Sequence, residues 1–275
     1  MKTKRIQRAF TIIGLSAFLF IVLTPLYWSL ILSFDRQALQ HLPPFSILPN
    51  EFTLMNYQFA FTVVPLARLY ANTIFITVVN TVVSVFFALM CGYAFAKGDF
   101  IGKKFWFIFM LAIMMMPFES RLIPLFLMYN SWGLLDTWWP LMLGSFSYVF
   151  GTFFARQNIS SIPDSLRESA FLDGSGEWRT FLLIIVPLSK PLIATLCILQ
   201  VLVHWNSYLW PLVTIRTPTL QMLSVGVAMF NAQQDAILFG PRMAVAVISA
   251  VPLTLLFLFL QKYIVQSVAL SGIKQ

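Results

Sequence analysis

Few side chains in this sequence have the type and spacing that enzyme chemistry requires. The two histidines, His41 and His204, have no acidic residues at metal-ligand spacing. The two cysteines, Cys91 and Cys197, lie far apart inside apolar runs. An enzyme would need a nucleophile with its base, or a cluster of metal ligands. We therefore expect no catalytic site and no metal site, and we expect both cysteines to be inert packing residues.

Two charged residues interrupt an otherwise apolar stretch. Glu119 and Arg121 lie within residues 105–128, beside Pro117 and Pro124. Because they are two positions apart, they do not share a helix face, and each should pair elsewhere. Ionisable residues inside apolar spans are functional candidates by default. We therefore treat this pair as a candidate gate.

A glycine–lysine pair, Gly102-Lys103, could suggest a phosphate-binding loop. Such a loop needs a Gly five residues before the Gly-Lys pair and a Ser or Thr after it. Those positions hold Lys97 and Lys104. The chain is therefore predicted to bind no nucleotide and to hold no cofactor of its own.

The elements that must position these residues are membrane helices, as the composition indicates. Of the 275 residues, 59% are hydrophobic and 10% are charged. A soluble domain has about 25% charged residues. The formal net charge of +8 could suggest a nucleic-acid partner, but the charges fall between apolar runs and so report membrane topology. We predict an all-α integral membrane protein with no nucleic-acid partner.

The gaps between charged residues define the candidate spans, since a helix needs about 20 apolar residues to cross a membrane. We predict six spans, at residues 9–34, 70–96, 105–128, 137–156, 187–212 and 243–262. The basic start of the first span could also belong to a cleaved signal peptide. Its charge-free run of 26 residues is longer than the apolar region of such peptides. We therefore expect a membrane span there.

The basic residues indicate on which side of the membrane each connection lies. Thirteen of the 18 Lys and Arg residues fall on one side: Lys2, Lys4, Arg5, Arg8, Lys97, Lys103, Lys104, Arg156, Arg167, Arg179, Lys190, Lys262 and Lys274. Five fall on the other: Arg36, Arg68, Arg121, Arg216 and Arg242. Cytoplasmic loops are enriched in Lys and Arg. We therefore expect both termini to lie in the cytoplasm.

The longest predicted cytoplasmic connection, residues 156–191, contains signals for a short helix. Ser161 and Asp164 have the spacing of a capping box, and Gly174 could end the helix in a left-handed conformation. We predict a helix over residues 162–173. One face of it carries four residues at helical spacing: Leu166, Ser169, Ala170 and Asp173. The two small residues would allow a partner to approach closely, although local physics equally fits an ordinary interfacial linker.

The same connection resembles the cytoplasmic EAA motif of binding-protein-dependent ABC importer permeases. The residues that carry the resemblance are Glu168-Ser169-Ala170, Asp173-Gly174, Phe181, Ile184, Pro187 and Pro191. Ser169 and Ser175 stand where the motif usually has Ala, and Val186 stands where Leu is commoner. These small or apolar exchanges leave the pattern intact. The Asp before the Gly and the second Pro resemble the carbohydrate-uptake branch in particular.

Further segments extend this resemblance over nearly the whole chain. They are Asn56-Tyr57, Asn72, residues 92–96, residues 205–212 and residues 261–265. The chain most resembles the six-span, maltose-transporter-type permease subunit, which is one of two different pore-forming subunits. The resemblance implies a type I ABC importer permease fold, with residues 1–275 as a single transmembrane domain. It also implies a multi-pass protein of a bacterial or archaeal cytoplasmic membrane.

The resemblance implies a function and partners as well. The chain would form part of the pore of an ATP-driven importer that takes up a sugar or oligosaccharide. Its partners would be a second, different permease, two ATPase subunits that bind ATP and Mg, and an extracytoplasmic sugar-binding protein. The residues that would couple it to the ATPase are Glu168, Ser169, Ala170, Asp173, Gly174 and Pro187. Glu168 would be the polar anchor, unless it pairs with Arg167 or Arg179.

The substrate path is predicted at the outer end of the fifth span. The candidates are Trp205, Asn206, Tyr208 and Trp210. A sugar path needs aromatic faces and hydrogen-bonding groups, but Trp and Tyr also populate ordinary interfacial belts. The polar external segment 215–241, which includes Gln234 and Asp235, would contact the sugar-binding protein if it is not a plain surface loop.

Two other functions compete with the importer. A self-contained secondary transporter or channel should show buried ionisable residues and repeated halves. As buried ionisable residues this chain offers only Glu119 and Arg121, and it shows no clear internal repeat. An intramembrane enzyme would need catalytic residues that this sequence does not offer. We therefore predict a transport subunit that is not an enzyme.

Overall fold

The structure of the chain, a computed structural model, describes residues 2–39, 41–233 and 238–272. Over these residues the only extended pairing is an isolated bridge between Asp35 and Phe52. The α-helices are α1 (Lys2–Ser33), α2 (Met55–Val63), α3 (Leu66–Lys97), α4 (Lys103–Met114), α5 (Phe118–Ser131), α6 (Trp139–Leu143), α7 (Val149–Ser160), α8 (Asp164–Leu172), α9 (Glu177–Thr180), α10 (Val186–Leu188), α11 (Lys190–Trp205), α12 (Leu209–Thr214), α13 (Leu223–Gln233) and α14 (Phe239–Gly272). The predicted all-α class is therefore confirmed.

Three helices in the described part of the chain are long and apolar enough to cross a membrane. These segments are Phe10–Ser33 in α1, Leu66–Lys97, which is α3, and Phe239–Phe259 in α14. Two further pairs of helices reach that length only when each bent pair is taken as one span. The pair α4 and α5 bends by 97°, and the pair Glu177–Leu188 and Lys190–Trp205 bends by 80°.

The third, fourth and fifth predicted spans are not continuous helices. The third breaks before Pro117, which cannot donate a helical N–H and restricts the residue before it. The fourth is divided into α6, a 3-10 turn at Gly144–Phe146, and α7. The fifth ends at Trp205 and resumes as α12 at Leu209. Apolar composition alone did not reveal these breaks, because the helices on both sides of each break are mostly apolar.

The chain divides into two compact units, and residues 1–67 with 226–252 form the first. Here the amide of Asn56 donates to the carbonyl oxygens of Leu32, Ser33 and Asp35, at 2.9–3.3 Å. It thereby satisfies carbonyl groups that the end of α1 leaves without helical partners. A Cβ on Gly240 would lie 2.4 Å from Oδ1 of Asn56, so only glycine fits there.

The second unit contains residues 68–225 with 253–275. Its buried core joins α3, α7, α11 and the π-helical stretch Phe181–Ile185. The core residues are Val85, Leu89, Ala155, Ile159, Phe181, Ile185 and Leu196. A Cβ on Gly92 would lie 2.4 Å from Cβ of Ala155. The absence of a side chain at Gly92 therefore lets α3 and α7 approach closely.

Helix α3 carries a buried polar stripe, which we define as Asn72, Thr73, Thr77, Asn80, Thr81 and Ser84. Asn72 donates to the carbonyl of Gln221, Asn80 to that of Leu141 and Ser84 to that of Ser145, each at 2.9 Å. These carbonyls belong to loops, a five-residue helix and a 3-10 turn. Because lipid offers no hydrogen bonds, such irregular backbone needs partners within the protein. The polar stripe supplies them.

Candidate functional site

The predicted cytoplasmic helix is present as α8, but its start differs from the predicted one. Its first turn carries Asp164, where a negative charge favours the helix dipole. The predicted capping box is wrong: Ser161 Oγ donates backward to the carbonyl of Asn158, at 2.7 Å, and no side chain caps the helix. The helix spans Asp164–Leu172, so it is shorter at both ends than the predicted 162–173.

The end of α8 forms a closed turn. The predicted left-handed conformation of Gly174 is confirmed, with a φ of 77°. The N–H of Ser175 donates to the carbonyl of Ala170 at 2.8 Å, and the N–H of Gly174 donates to that of Phe171 at 3.0 Å. This pair of bonds is the Schellman motif, which satisfies carbonyls at a helix end. The chain direction after α8 is therefore fixed by backbone bonds.

The face of α8 that the sequence indicated borders a groove of about 320 Å³. Leu166, Ser169, Ala170 and Asp173 line it, together with Ser175, Arg179, Leu183 and Ile184. Glu168, Ser169 and Asp173 are exposed, whereas Ala170 is buried. Of the predicted coupling residues, Pro187 lies elsewhere, in α10 just before the 80° bend. The structure thus places an open, small-residue groove beside an exposed helix.

Two side chains of α3, Lys97 and Tyr93, hold the ends of this segment through three hydrogen bonds. Lys97 Nζ donates to the carbonyl of Ile162 at 2.6 Å and to the carboxylate of Asp164 at 2.7 Å. The hydrogen bond from Lys97 lowers the pKa of Asp164 below its usual value. The hydroxyl of Tyr93 donates to the Glu177 carboxylate, at the start of α9.

The partner of Arg167 is also Glu177. The alternative in which Arg167 pairs with Glu168 is therefore wrong. Among the described residues, Glu168 makes no ion pair with any basic side chain, Arg179 included. Its carboxylate is exposed on α8 and remains available to another molecule.

A second site lies between α3, α5, α6, α11 and α12, around a cavity of about 400 Å³. Two predicted path residues, Tyr208 and Trp210, line this cavity. The other two do not: Trp205 is buried against Tyr70, with ring centroids 6.0 Å apart, and Asn206 donates to the carbonyl of Leu202. The structure therefore brings together only half of the predicted set.

The other polar and aromatic groups of the cavity wall were not predicted from the sequence. These are Asn80, Phe118, Tyr129, Ser145, His204 and Ser207. A usable signal was the helical spacing of Thr73, Thr77, Asn80 and Ser84, which puts polar side chains on one face of an otherwise apolar helix. His204 carried no comparable signal, because Asn80, the polar residue that it contacts, is 124 positions away in the sequence.

The candidate gate residues occupy the first turn of α5, directly after the 97° break. Glu119 is exposed, and Nε of Arg121 is buried without a hydrogen-bond partner. The two side chains form no ion pair with each other. Neither lines the cavity, whose α5 wall consists of Phe118, Leu125 and Tyr129.

The segment that was predicted to be external, residues 215–241, is packed rather than loose over its described part. Gln221 is buried, and its Nε2 donates to the carbonyl of Ile215 at 2.6 Å. Asp136 accepts hydrogen bonds from the backbone of Arg216 and from both the backbone and the hydroxyl of Thr217. The bonds from Thr217 and Arg216 lower the pKa of Asp136. Gln234 and Asp235, which were predicted in this segment, lie outside the described residues.

Comparison with known families decides the class of the protein. Residues 84–270 match the family described as "Binding-protein-dependent transport system inner membrane component". The match covers more than half of the chain, including α8 and its groove. The chain belongs to this family. The resemblance carried by residues 168–191 is thereby confirmed, and the chain is a membrane transport component rather than an enzyme.

Two relatives of this transport component match along most of their length. The arabinooligosaccharides transport system permease protein AraQ of Halalkalibacterium halodurans is 32% identical, over 99% of this chain and 99% of its own. The diacetylchitobiose uptake system permease protein NgcG of Streptomyces coelicolor is 30% identical, over 90% of this chain and 83% of its own. Both are permease proteins of uptake or transport systems by name.

A solved structure shares the fold of this transport component. It is the crystal structure of a bacterial ABC transporter involved in the import of the acidic polysaccharide alginate. The matching chain superposes with a TM-score of 0.84 at 24% identity, over 96% of this chain and 98% of the other. The expected importer permease fold is therefore confirmed.

Proposed function

We propose that this chain is one pore-forming subunit of an ATP-driven importer for a sugar or oligosaccharide, delivered by an extracytoplasmic binding protein. The observation that carries the proposal is the exposed helix α8 with its groove and its closed C-terminal turn, within a chain of this transport family. The named substrates of the two relatives, arabinooligosaccharides and diacetylchitobiose, support the sugar class. A six-span topology with both termini in the cytoplasm completes the proposal.

The proposal includes partners that supply the energy. ATP and Mg are bound by two ATPase subunits, and a second, different permease completes the pore. Glu168, Ser169 and Asp173 are exposed where an ATPase subunit would dock. Ser169 and Asp173 line the groove, and the small side chain of Ala170 leaves room there for a group of the partner. Glu168 acts as the polar anchor, since it has no ion-pair partner among the described residues of its own chain.

Movement of α8 passes to the membrane helices through two routes. Lys97 and Tyr93 tie the ends of the segment to α3, so α3 follows a displacement of α8. After Gly174, the chain continues through α9 and the π-helical stretch into α10, where Pro187 precedes the bend into α11. Local π-helical turns are frequent at functional sites. Helices α3 and α11 both border the cavity, so ATPase motion would reshape it.

The cavity is the proposed solute path within this subunit. Tyr208 and Trp210 offer aromatic faces, against which the C–H faces of a sugar ring pack. Trp205 and Asn206 support the path from outside the cavity wall. Glu119 and Arg121 stand at the break that begins α5, and we propose them as a gate there.

Co-purification tests the partner-dependent importer directly. The tagged chain is extracted from native membranes in mild detergent, and its partners are identified by mass spectrometry. We expect an ATPase and a second permease, with ATPase recovery reduced about tenfold when Glu168→Ala removes a charged hydrogen bond. Glu51→Ala is the matched control, because Glu51 is an exposed acid of the opposite predicted side.

Recovery of the chain alone would contradict the proposal. That result would favour a self-contained transporter, in which Glu119 and Arg121 would be the residues to study next.

A further inference from the structure

Two polar atoms at the cavity are buried without any hydrogen-bond partner. They are Oδ1 of Asn80 and Nε2 of His204, and both residues line the cavity of about 400 Å³. Asn80 has only 1% of its surface exposed. A buried polar atom without a partner costs roughly 1–3 kcal/mol. The fold tolerates that cost twice at one cavity, so two buried atoms there are available to hydrogen-bond a molecule that enters it.

Hydrogen bonds fix which atom each side chain presents. Nδ2 of Asn80 donates to the carbonyl of Leu141 at 2.9 Å, so Oδ1 is the free end of the amide. Nδ2 also lies 3.4 Å from Nδ1 of His204. If Nδ2 donates there, Nδ1 is the acceptor, and a neutral imidazole then carries its proton on Nε2. This tautomer is assigned from the network. Together, Asn80 and His204 therefore offer the cavity one unpartnered acceptor, Oδ1, and one unpartnered donor, Nε2–H.

Helix breaks surround the same cavity. Phe118 begins α5 after the 97° bend, Ser145 belongs to the 3-10 turn, and Ser207 lies between α11 and α12. In membrane proteins, non-helical backbone is tolerated where it is buried in protein or lines a polar cavity, and broken helices commonly mark solute sites. Three breaks at one cavity are therefore a second, independent sign of a solute site.

The wall of the cavity also has the composition of a neutral sugar site. The rings of Phe118 and Tyr129 lie 5.9 and 5.8 Å from that of Trp210, centroid to centroid, and form an aromatic cluster. None of the described lining residues is Asp, Glu, Lys or Arg. An anionic solute would lose its hydration there without gaining a cationic partner. The volume falls within the range of ordinary small-molecule sites.

We propose that Asn80 and His204 form a hydroxyl-recognition pair that selects a neutral, uncharged sugar ring in this cavity. His204 donates from Nε2–H to one solute hydroxyl, and Asn80 Oδ1 accepts from another. The aromatic cluster packs against the C–H face of the ring. This inference rests on the proposed importer function. It adds that the solute is uncharged and that Asn80 and His204 recognise its hydroxyl groups.

The test uses the whole importer complex with its binding protein in proteoliposomes, and measures uptake and ATP hydrolysis separately. The probes are arabinotriose and diacetylchitobiose as neutral solutes and digalacturonate as the acidic one. Asn80→Leu and His204→Phe should each lower uptake per ATP about tenfold, the loss of one buried hydrogen bond. His204→Gln retains an N–H donor and should lose less than threefold, a partial rescue by the conservative variant.

Two variants control for damage that has no connection with recognition. Thr81→Val changes a buried residue of the same polar stripe whose hydroxyl makes no hydrogen bond among the described residues and which does not line the cavity. His41→Gln changes the other histidine, which is exposed. Both should keep the ratio of uptake to ATP hydrolysis within twofold. If Asn80→Leu fails to assemble, as recovery of the complex would show, His204→Phe carries the test, and an unchanged ratio in that variant overturns the recognition pair.

Different failures contradict different claims. If the Asn80→Leu, His204→Phe double variant keeps the wild-type ratio of uptake to ATP hydrolysis, the recognition pair is wrong and the importer function stands. A cavity filled by a lipid chain would give that result. Preference for digalacturonate overturns the neutral-solute inference alone. Absence of uptake for all three probes by an assembled wild-type complex rejects the sugar class in the proposed function, and the inference with it.

Discussion

The proposed coupling segment, which is α8 with the residues on to Glu177, differs from the cavity around His204 in how its polar groups are paired. Lys97 and Tyr93 of α3 have acidic partners in the coupling segment, and Arg167 forms an ion pair with Glu177 that leaves its Nε alone without a partner. In the cavity, Asn80 and His204 each retain an atom with no partner. The first arrangement makes a stiff element that can transmit a displacement. The second arrangement leaves two atoms able to form hydrogen bonds with a solute that binds and dissociates.

The largest expected effect is at the turn that ends α8. Gly174→Val places a β-branched residue at a φ of 77°, which costs at least about 1–2 kcal/mol for a non-glycine residue. We expect at least a tenfold loss of uptake and of ATPase co-purification. Gly176→Val is the matched control, because a Cβ added to either glycine would meet no atom within 4 Å and only Gly174 has a positive φ. Equal losses in both variants would mean that the turn is not the reason.

The aromatic wall of the cavity comes next. Trp210→Ala removes the ring that contacts Phe118 and Tyr129, and should lower uptake about tenfold while ATP hydrolysis persists. Trp210→Phe keeps a ring but loses the bond from Nε1 to the carbonyl of Pro140, and should lose about threefold. The control is Trp139→Ala, an exposed ring outside this cavity. Parallel loss of uptake and hydrolysis would indicate misfolding instead.

The tie between α8 and α3 should have a moderate effect. Lys97→Met removes the donor to Ile162 and Asp164, so α3 should follow α8 less faithfully. Uptake per ATP is expected to fall about fivefold, which corresponds to roughly 1 kcal/mol. Lys104→Met, an exposed lysine seven positions along, should change nothing. If Lys97→Met leaves the ratio unchanged, α3 does not carry the movement.

The same tie predicts a pH dependence. Asp164 has a lowered pKa in the folded chain, so its contribution to stability is fully present above the ordinary aspartate pKa, about 3.9. It is lost as the pH falls through the lower, folded pKa. The difference in thermal stability between wild type and Asp164→Asn should therefore be constant from pH 7 to about pH 5, and should close below about pH 4. A difference that closes near neutral pH would point to another group.

The smallest effect is expected at Ser161. Its hydroxyl donates to Asn158 and does not cap α8, so Ser161→Ala should change the free energy of unfolding by less than about 0.5 kcal/mol. A true N-cap would cost about 1 kcal/mol. Thermal unfolding of the purified complex distinguishes the two values. A loss of stability as large as that expected for a true N-cap would mean that Ser161 does cap α8.

The sequence allowed the coupling segment to be predicted better than the cavity, for a physical reason. The motif around Glu168 and Gly174 is contiguous, so local rules could place the helix and its left-handed end. The pairing of Arg167 with Glu177 spans a turn, and local rules did not reveal it. Asn80 and His204 are 124 positions apart and meet only through tertiary packing.

The membrane helices show the same limit. Continuous apolar runs predicted α1, α3 and α14 well, because such runs have one stable form in lipid. The breaks near Gly144 and Asn206 were not predicted, because side chains elsewhere in the sequence satisfy their backbone. Asn80 and Ser84 donate to the carbonyls of Leu141 and Ser145, and Ser224 donates to that of Ser207. The break before Pro117 was not predicted either, although a proline marks where a helix can bend.

The polar stripe of α3 has a consequence for biosynthesis. The ribosome must add 61 residues after Asn80 before the carbonyl of Leu141 has been synthesised. It must add 149 residues after Asn72 before the carbonyl of Gln221 has been synthesised. At about 5–20 residues per second, these delays are roughly 3–12 s and 7–30 s. During that time α3 has polar groups without their final partners. Nascent α3 must therefore be sheltered by water or by the insertion machinery, and can settle among lipids only after the later helices emerge from the ribosome.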